Sequence, residues 1–345
     1  MAGEVLTEDR EVHRFDERAL GAYLAERIDG FKAEMTVRQF DGGQSNPTYL
    51  LASGGREYVL RKKPPGRLLA TAHMVEREHR IMTALRDTLV PVPPTRLLCE
   101  DESLIGTPFY VMDFVRGRLL RDATLPELSQ ERRSAVYLEM CRVLAELHAL
   151  RPADVGLADY GKPGSYFKRQ IERWTKQYVD AKTDEIECME ELIKWLPANM
   201  PEDDSDGIVH GDFLLNNMIF HPDEDRILAV IDWELSTLGH PLADLAYNCM
   251  PYHLNRGSAP LNTLAHTGIP TEEQYVARYC EITGRSGGIT HWNFYLAFSF
   301  FRYASIIQGV YKRGLQGNAS SPRARGMAGV VKGVGDIGWK LAREG

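Results

Sequence analysis

The sequence predicts an α+β fold in which a strand-rich part is followed by a larger helical part. Before residue 115, short apolar segments alternate with turns rich in Gly, Pro and Asn, which is typical of strands. After residue 115, apolar residues recur mainly at helical spacing. With 345 residues, of which 43% are hydrophobic, the chain is long enough for two domains. We expect these domains at residues 1–115 and 116–345, with the antiparallel β-sheet in the first.

The first part is predicted to form a five-stranded antiparallel sheet with two helices. Apolar and polar residues at helical spacing predict a helix over Asp16–Ile28. A second helix is predicted over His73–Leu89, and the prolines of VPVPP end it. The predicted strands are Met35–Phe40, Thr48–Ala52, Glu57–Arg61, Leu97–Cys99 and Pro108–Phe114.

The second part is predicted to be mainly helical. Two short β-like segments, Ile208–Phe220 and Leu228–Trp233, flank a turn within it. The aromatic residues Phe294, Phe298 and Phe301 form a stripe that favours a buried core over a ligand pocket. The predicted helices are Arg133–Leu150, Tyr166–Val179, Ile186–Leu196, Pro241–Met250, Glu272–Ile282 and Trp292–Tyr311.

Composition and charge exclude several classes of protein. A net charge of −7 argues against nucleic acid as the main partner. The five cysteines occur singly, without a CxxC pair, which argues against a zinc ribbon and favours a reducing, cytoplasmic location. The acidic N-terminal sequence lacks the apolar run of a signal peptide. The most apolar stretch, Phe294–Val310, is interrupted by polar residues, so no membrane span is expected.

The segments IVHGDFLLNNMIF and LAVIDWE contain the residues with the clearest chemical meaning. Asp212 and Asn217 follow the first apolar run, and Asp232 ends the second. Mg²⁺ prefers oxygen ligands and usually takes one or two from protein and others from phosphate, so Asn217 and Asp232 suit a metal site. Asp212 is then free to act as the catalytic base that accepts a proton from a hydroxyl group. The spacing parallels HRDxxxxN and DFG of kinases.

These motifs resemble the aminoglycoside phosphotransferase/choline kinase-like family of small-molecule kinases, in which HGD replaces HRD. The resemblance extends from about Val37 to Met250. Within this family the chain is similar to the kinase-like domain fused to some acyl-CoA dehydrogenases, in VLRKKPPGRLLATAH, VEREHRIMTAL, DYGKPGSYFKRQIERWTKQY and STLGHPLADLAY. The resemblance implies a protein kinase-like two-lobed fold, ATP and Mg²⁺ as cofactors, and a functional link to an acyl-CoA dehydrogenase.

The resemblance also assigns nucleotide-binding residues. The segment DGGQSNPTY would cover the phosphates, because its glycines let backbone N–H groups approach them. The strand end after PFYV would be the hinge between the lobes and offer backbone groups to adenine. The residues expected in the two segments are Gly42, Gly43, Ser45 and Asn46, and Met112, Asp113, Phe114 and Val115.

A positively charged residue that contacts phosphate is expected on the third strand. Arg61 is the favoured candidate, and Lys62 would point to the other face of a regular strand. Glu78 is expected to pair with this cation, with Glu76 as the alternative. Asp244 resembles the family residue that braces the catalytic loop.

Several residues are open to more than one interpretation. His210 is expected to be a structural hydrogen-bonding residue, and Glu234 either assists the metal or forms a salt bridge. His240 stands where many relatives have Asp and marks a different acceptor. The segment Tyr166–Lys176 is either an amphipathic surface helix or an acceptor-binding helix for a phosphate-bearing group such as CoA. The segment GVGDIG matches a dinucleotide motif, but too few residues follow it for a βαβ unit.

The sequence therefore predicts an ATP- and Mg²⁺-dependent kinase that transfers a phosphoryl group to a small-molecule hydroxyl. The resemblance implies a hydroxyacyl-CoA acceptor, and an aminoglycoside or other amino-alcohol or sugar is the alternative. A non-catalytic, pseudokinase-like binding module and a metal-dependent phosphate-ester hydrolase are further alternatives. The intact set of Asp212, Asn217 and Asp232 argues against the binding module, because binding alone needs no base.

Overall fold

The computed structural model of the chain describes residues 6–7, 15–40, 46–64, 73–254, 260–317, 324 and 326–345. Within these ranges no helix is both long and apolar enough to cross a membrane. All five cysteines are free thiols and are buried.

The strands and α-helices that the sequence predicts occur in the predicted order, together with others that it did not predict. The strands are β1 Leu6–Thr7, β2 Thr36–Phe40, β3 Thr48–Ser53, β4 Arg56–Lys62, β5 Thr95–Cys99, β6 Phe109–Asp113, β7 Arg118–Leu119, β8 Gly207–Val209, β9 Met218–Phe220, β10 Ile227–Val230 and β11 Thr237–Gly239. The helices are α1 Glu17–Ala25, α2 Val75–Leu85, α3 Glu102–Ile105, α4 Gln130–Ala149, α5 Tyr166–Ala181, α6 Glu187–Ala198, α7 Pro241–Cys249, α8 Glu272–Thr283, α9 Trp292–Leu315 and α10 Ala328–Glu344.

The chain divides into two compact units. The first consists of the described residues of Met1–Arg121 together with Leu215–Ser236, and the second of Asp122–Leu214 together with Thr237–Gly345. The chain enters the first unit a second time because β9 pairs with both β7 and β10. The predicted boundary after residue 115 stays a prediction. Because the first unit consists of two separate chain segments, no single boundary divides it from the second.

The first unit is built on an antiparallel sheet with the strand order β1-β2-β3-β4-β6-β5. It contains the five predicted strands and adds β1, which the sequence did not predict. Arg61 on β4 pairs with Thr48 on β3 and with Tyr110 on β6, so these three side chains share one face. On the opposite face, α1 packs its buried Leu20 and Leu24 against the sheet. The sheet therefore fixes the direction in which Arg61 points.

The second unit is mainly helical, and its predicted helices are all present. The strand predicted over Ile208–Phe220 is wrong in its middle, because only β8 and β9 at its two ends are extended. The residues between them form a loop in which Gly211 has a φ of 84°. The stripe of Phe294, Phe298 and Phe301 on α9 is buried, which confirms its assignment to the core. The expected α+β class is confirmed.

The GVGDIG segment is part of α10, a helix that the sequence did not predict. Two of its glycines allow neighbouring helices to approach closely. A Cβ on Gly335 would lie 2.7 Å from the Cys188 sulfur on α6, and one on Gly338 would lie 2.9 Å from the Phe300 Cβ on α9. The glycines of this segment therefore allow close helix packing. Because glycine has a low helix propensity, the sequence pattern did not indicate a helix here.

Substitution of α10 glycines by alanine should separate packing from helix propensity. Gly338→Ala is expected to lower the free energy of unfolding by about 1–3 kcal/mol relative to Gly333→Ala, because only the former methyl group meets α9. Gly333 is exposed and has open space around it, so its replacement should stabilise the helix slightly. Urea denaturation measures both variants, and equal stability would show that Gly338 is not a packing position.

Candidate functional site

In the first unit, Arg61 and Glu78 form a buried ion pair. The Arg61 Nε lies 3.0 Å from the Glu78 Oε2, and the two side chains are 15% and 2% exposed. The pairing predicted from the sequence is therefore present. Lys62 lies on the opposite face of β4 from Arg61, as expected of a regular strand. Its Nζ donates to the Ile105 carbonyl at 3.2 Å. Glu76, the alternative partner, pairs instead with Lys63 at 3.0 Å.

The Glu78 carboxylate is held by two further side chains. The Asn46 Nδ2 donates to Oε1 at 2.9 Å, and the Tyr110 hydroxyl donates to Oε2 at 3.0 Å. Burial raises the pKa of Glu78, and Arg61 and these two hydrogen bonds oppose that increase. Burial alone would lower the pKa of Arg61, but Glu78 together with Tyr110, Asp232 and Glu234 outweighs it and the pKa is raised. The pair is fixed in geometry as a result.

Arg61 also reaches the end of β10. Its Nη2 donates to the Asp232 Oδ1 at 3.1 Å and lies 3.4 Å from the Glu234 Oε2. Asp232 has a left-handed backbone, with a φ of 66°, which is uncommon for a residue other than glycine. The turn after β10 thus directs the Asp232 carboxylate toward the guanidinium group. Of the two interpretations of Glu234, its salt bridge with Arg61 is present.

Asn217 pairs through its backbone with the segment that carries Asp232. Its backbone carbonyl accepts a hydrogen bond from the Ile231 N–H at 2.9 Å, which extends the pairing of β9 with β10 by one step. Its side-chain Oδ1 accepts from the Asn216 Nδ2 at 3.0 Å. The hairpin therefore brings the segments of both predicted metal ligands together, and each ligand presents an oxygen atom of the kind that hard cations prefer.

Of the predicted phosphate-covering residues, Gly42, Gly43 and Ser45 lie outside the described residues. Asn46 is fully buried, and its Oδ1 accepts a hydrogen bond from the His73 Nδ1 at 3.0 Å. Its side chain therefore orients Glu78, and its contact with a nucleotide stays a prediction.

The predicted hinge residues lie at and after the end of β6. The Asp113 N–H donates to the Pro94 carbonyl at 2.8 Å, and the Phe114 N–H donates to the Glu57 carbonyl at 3.2 Å. The Asp113 carboxylate forms a bidentate salt bridge with Arg96. Met112 lies inside the strand and is buried. Val115 lies after the strand, and within the described part of the chain its N–H and carbonyl form no hydrogen bond with another backbone group.

In the second unit, Asp244 braces the loop that carries Asp212. The Asp244 carboxylate accepts hydrogen bonds from the N–H groups of His210 and Gly211, the latter at 2.8 Å. Burial alone would raise the pKa of Asp244, but His148 and these N–H groups hold it below its ordinary value. The His210 Nδ1 accepts from the Asp212 N–H at 3.1 Å, so His210 has the structural bonding expected of it.

Two residues beside Asp212 escaped the sequence analysis. Tyr247 on α7 donates a hydrogen bond to Asp212, and burial together with the charge of Asp212 raises the pKa of Tyr247. Arg302 on α9 donates through its Nη2 to the Gly211 carbonyl at 2.5 Å, and its guanidinium carbon lies 4.7 Å above the Tyr247 ring. The signal that could have found them is a polar side chain within a largely apolar helix, as with Arg302 in α9 and Tyr247 in α7.

His240 begins α7 and belongs to the buried part of this unit. Its Nδ1 accepts a hydrogen bond from the Leu242 N–H at 3.2 Å, and its Nε2 lies 3.3 Å from the Asp203 Oδ2. The ring stacks on Tyr295. Burial lowers the pKa of His240, although Asp203 opposes this. The residue thus caps a helix, and its predicted link to acceptor choice stays a prediction.

Comparison with protein-family models decides the family. Residues 36–278 match the model of the phosphotransferase enzyme family, APH. The chain belongs to this family. It is also 48% identical over 314 residues to acyl-CoA dehydrogenase family member 10 of Mus musculus, covering 89% of this chain and 29% of that protein. It is 44% identical over 343 residues to acyl-CoA dehydrogenase family member 11 of Homo sapiens, covering 96% of this chain and 44% of that protein.

The chain thus spans less than half of the length of both relatives. Among solved structures, it resembles a Ralstonia eutropha JMP134 protein provisionally described as an aminoglycoside phosphotransferase, with 48% identity, a TM-score of 0.87 and coverage of 96% of this chain and 99% of that one. Aminoglycoside phosphotransferase APH(4)-Ia, solved with AMP-PNP and hygromycin B, shares the fold at 17% identity and a TM-score of 0.61, over 94% of this chain and 98% of that one. The protein kinase-like fold expected from the sequence is confirmed.

Glu78→Gln should reveal how strongly the buried pair stabilises the first unit. Removing the negative charge leaves the buried Arg61 with only the partly exposed carboxylates of Asp232 and Glu234. The free energy of unfolding is expected to fall by about 2–4 kcal/mol. Glu76→Gln on the same helix is the matched control, and its more exposed pair with Lys63 should contribute less than about 1 kcal/mol. Similar losses in both variants, measured by thermal denaturation, would contradict this assignment.

Proposed function

We propose that this phosphotransferase is an ATP- and Mg²⁺-dependent kinase that acts on a hydroxyl group of a small molecule. The observation that carries the proposal is the position of Arg61, which is ion-paired with Glu78 and reaches Asp232. A fixed guanidinium beside a carboxylate suits the phosphates of a nucleotide and their counter-ion, because phosphoryl transfer depends on positioning and charge neutralisation. Family membership supports the same chemistry.

The donor set at the β9–β10 hairpin fits Mg²⁺. The described residues contain no group of three or more His, Cys, Asp or Glu side chains that could hold a metal. The Asp232 carboxylate and the Asn217 amide are proposed as the protein ligands, because both offer oxygen atoms and because Mg²⁺ takes its other ligands from phosphate and water. When bound, Mg²⁺ would neutralise charge on the phosphates. The guanidinium group of Arg61 would then turn from Asp232 toward the phosphates of the nucleotide.

Asp212 is proposed as the base. The acceptor oxygen forms a bond to the γ-phosphorus, the bond from that phosphorus to the leaving ADP breaks, and the hydroxyl proton passes to the Asp212 carboxylate. The hydrogen bond from Tyr247 and the bracing of the loop by Asp244 hold this carboxylate in place. A binding-only module has no use for a carboxylate supported in this way.

Adenine is proposed to meet the backbone that follows β6. The N–H groups of Asp113 and Phe114 are already used inside the unit, so Val115 is the strongest candidate for a direct hydrogen bond. Gly42, Gly43 and Ser45 are proposed to cover the phosphates, on the strength of their sequence motif alone.

The acceptor is proposed to be a hydroxyacyl-CoA. Two relatives with at least 44% identity over most of this chain are named as acyl-CoA dehydrogenases, a class defined by acyl-CoA substrates. The same observation favours a functional link to such a dehydrogenase. An aminoglycoside is the second candidate, and the description of the similar Ralstonia eutropha structure favours it.

The experiment that tests this proposal is incubation of the protein with ATP and Mg²⁺ and a panel of hydroxyacyl-CoAs, free hydroxy acids, aminoglycosides and choline. Mass spectrometry would identify the acceptor that gains a phosphoryl group. We expect phosphorylated hydroxyacyl-CoA. Transfer to an aminoglycoside alone would replace the proposed acceptor, and nucleotide binding without any transfer would favour a pseudokinase-like module.

Asp212→Asn should retain the shape of the loop while removing the base. We expect kcat for the accepted alcohol to fall by about 10²–10⁴-fold, with little change in the Kd for ATP, because the substitution acts on proton transfer. Steady-state kinetics and calorimetry measure the two quantities. A variant with wild-type kcat would exclude Asp212 as the base.

A further inference from the structure

The helical unit contains a buried cation that forms no salt bridge with any carboxylate of the described residues. Arg302 is only 6% exposed. Its polar contact within the described residues is the Gly211 carbonyl, and its guanidinium carbon otherwise lies 4.7 Å from the Tyr247 ring centre and 5.5 Å from that of Trp174. Buried charges are usually paired, because an unpaired charge loses its hydration without compensation. A second, negatively charged group is therefore expected at this place.

A second guanidinium lies beside the same indole. The Arg173 guanidinium carbon is 5.3 Å from the Trp174 ring centre, and the described residues place no carboxylate in salt-bridge distance of it. Its side chain is exposed, so it can meet a ligand from solvent. Partial desolvation and the positive charge of Arg302 both lower the pKa of Arg173. Both guanidinium groups thus lie near one indole, and among the described residues neither forms a salt bridge with a carboxylate.

Two other positively charged residues of α5 are bonded within the protein. Lys176 pairs with Asp180 at 2.9 Å on the exposed side of the helix. Arg169 donates to the carbonyls of Lys162 and Pro163 and so fixes the start of α5. The pair of Arg173 and Arg302 is thus distinct from the ordinary surface charges of this helix.

Arg302, the buried member of the pair, lies next to the proposed base. Arg302 bonds the carbonyl of Gly211, the residue that precedes Asp212, and its guanidinium lies over Tyr247, whose hydroxyl bonds the Asp212 carboxylate. The carboxylate of Asp244 already accepts hydrogen bonds from two backbone N–H groups and lies 3.5 Å from the His148 Nε2. An acceptor whose hydroxyl faces Asp212 would therefore place its neighbouring groups within reach of positive charge.

We propose that Arg173 and Arg302 form an anion-binding site that selects acceptors carrying a carboxylate or phosphate group. This inference rests on the proposed kinase function, and it specifies the charge of the acceptor. Guanidinium groups bind both kinds of oxyanion through charge-assisted hydrogen bonds, and the indole of Trp174 holds them in position. Polycationic acceptors such as aminoglycosides would meet repulsion at this site.

The test uses three acceptors with the same hydroxyl and different charges: hydroxybutyryl-CoA, free hydroxybutyrate and neutral hydroxybutyramide, with kanamycin as the cationic comparison. The wild-type chain is expected to use one or both of the anionic acceptors in preference to the amide and kanamycin. A preference for the CoA ester identifies phosphate as the recognised group, and a preference for free hydroxybutyrate identifies the carboxylate. Equal or better use of the amide or kanamycin would overturn the proposal.

Variants assign this preference to the arginines. Arg173→Gln is expected to raise KM for the anionic acceptor by about 10–100-fold while kcat and KM for ATP change little, because hydrogen bonds to charged groups are strong. Lys168→Gln is the matched control, since it removes an exposed positive charge from the same helix. Arg302→Lys, checked for folding by thermal denaturation, should also raise this KM because lysine cannot form the same planar contacts. Equal KM values for Arg173→Gln and Lys168→Gln would overturn the proposal.

Calorimetry without ATP separates this inference from the kinase function. Coenzyme A and hydroxybutyrate serve as probes, and at least one is expected to bind the wild-type chain and to lose affinity in Arg173→Gln but not in Lys168→Gln. If the wild-type chain transfers phosphate to no acceptor but shows this pattern, the proposed function fails and the anion site stands. If transfer occurs but neither probe binds through Arg173, the kinase function stands and the anion site fails.

Discussion

The buried ion pair between Arg61 and Glu78 is the constraint on which the proposed nucleotide site depends. It joins β4 to α2 and leaves one guanidinium nitrogen free to reach Asp232. A buried charge pair of this kind requires every partner to be in place, because removing one leaves the other unpaired in a poorly hydrated environment. Asn46 and Tyr110 complete the bonding of Glu78. The sheet, the helix and the turn after β10 are thereby held in a single arrangement around Arg61.

In the helical unit, buried side chains fix the loop that carries Asp212. The loop that carries Asp212 has polar backbone groups that must be bonded although they are buried. Asp244 accepts two of its N–H groups, and Arg302 donates to the Gly211 carbonyl. The loop is consequently fixed by side chains of α7 and α9. One of these side chains, Arg302, also carries the buried positive charge on which the proposed selection of anionic acceptors rests.

Local patterns predicted much of this structure from the sequence. Strand alternation placed Arg61 and Lys62 on opposite faces. The family resemblance favoured Glu78 over Glu76 as the partner of this cation. Contacts between residues far apart in the chain were not predictable in this way, which is why Tyr247 and Arg302 were missed. Helix α10 was missed because its glycines lower helix propensity, whereas their value lies in close packing against α6 and α9. The roles of Asp212, Asn217 and Asp232 in catalysis and metal binding stay predictions.

The most direct measurement of the central claim is anomalous X-ray scattering from crystals grown with AMP-PNP and Mn²⁺ in place of Mg²⁺. We expect a manganese peak bonded to the carboxylate of Asp232 and the amide oxygen of Asn217, with the guanidinium of Arg61 against the phosphates. The same crystals of Asp232→Asn should show a weak peak or none. Manganese bound away from both residues, or phosphates out of reach of Arg61, would contradict the assignment of this site.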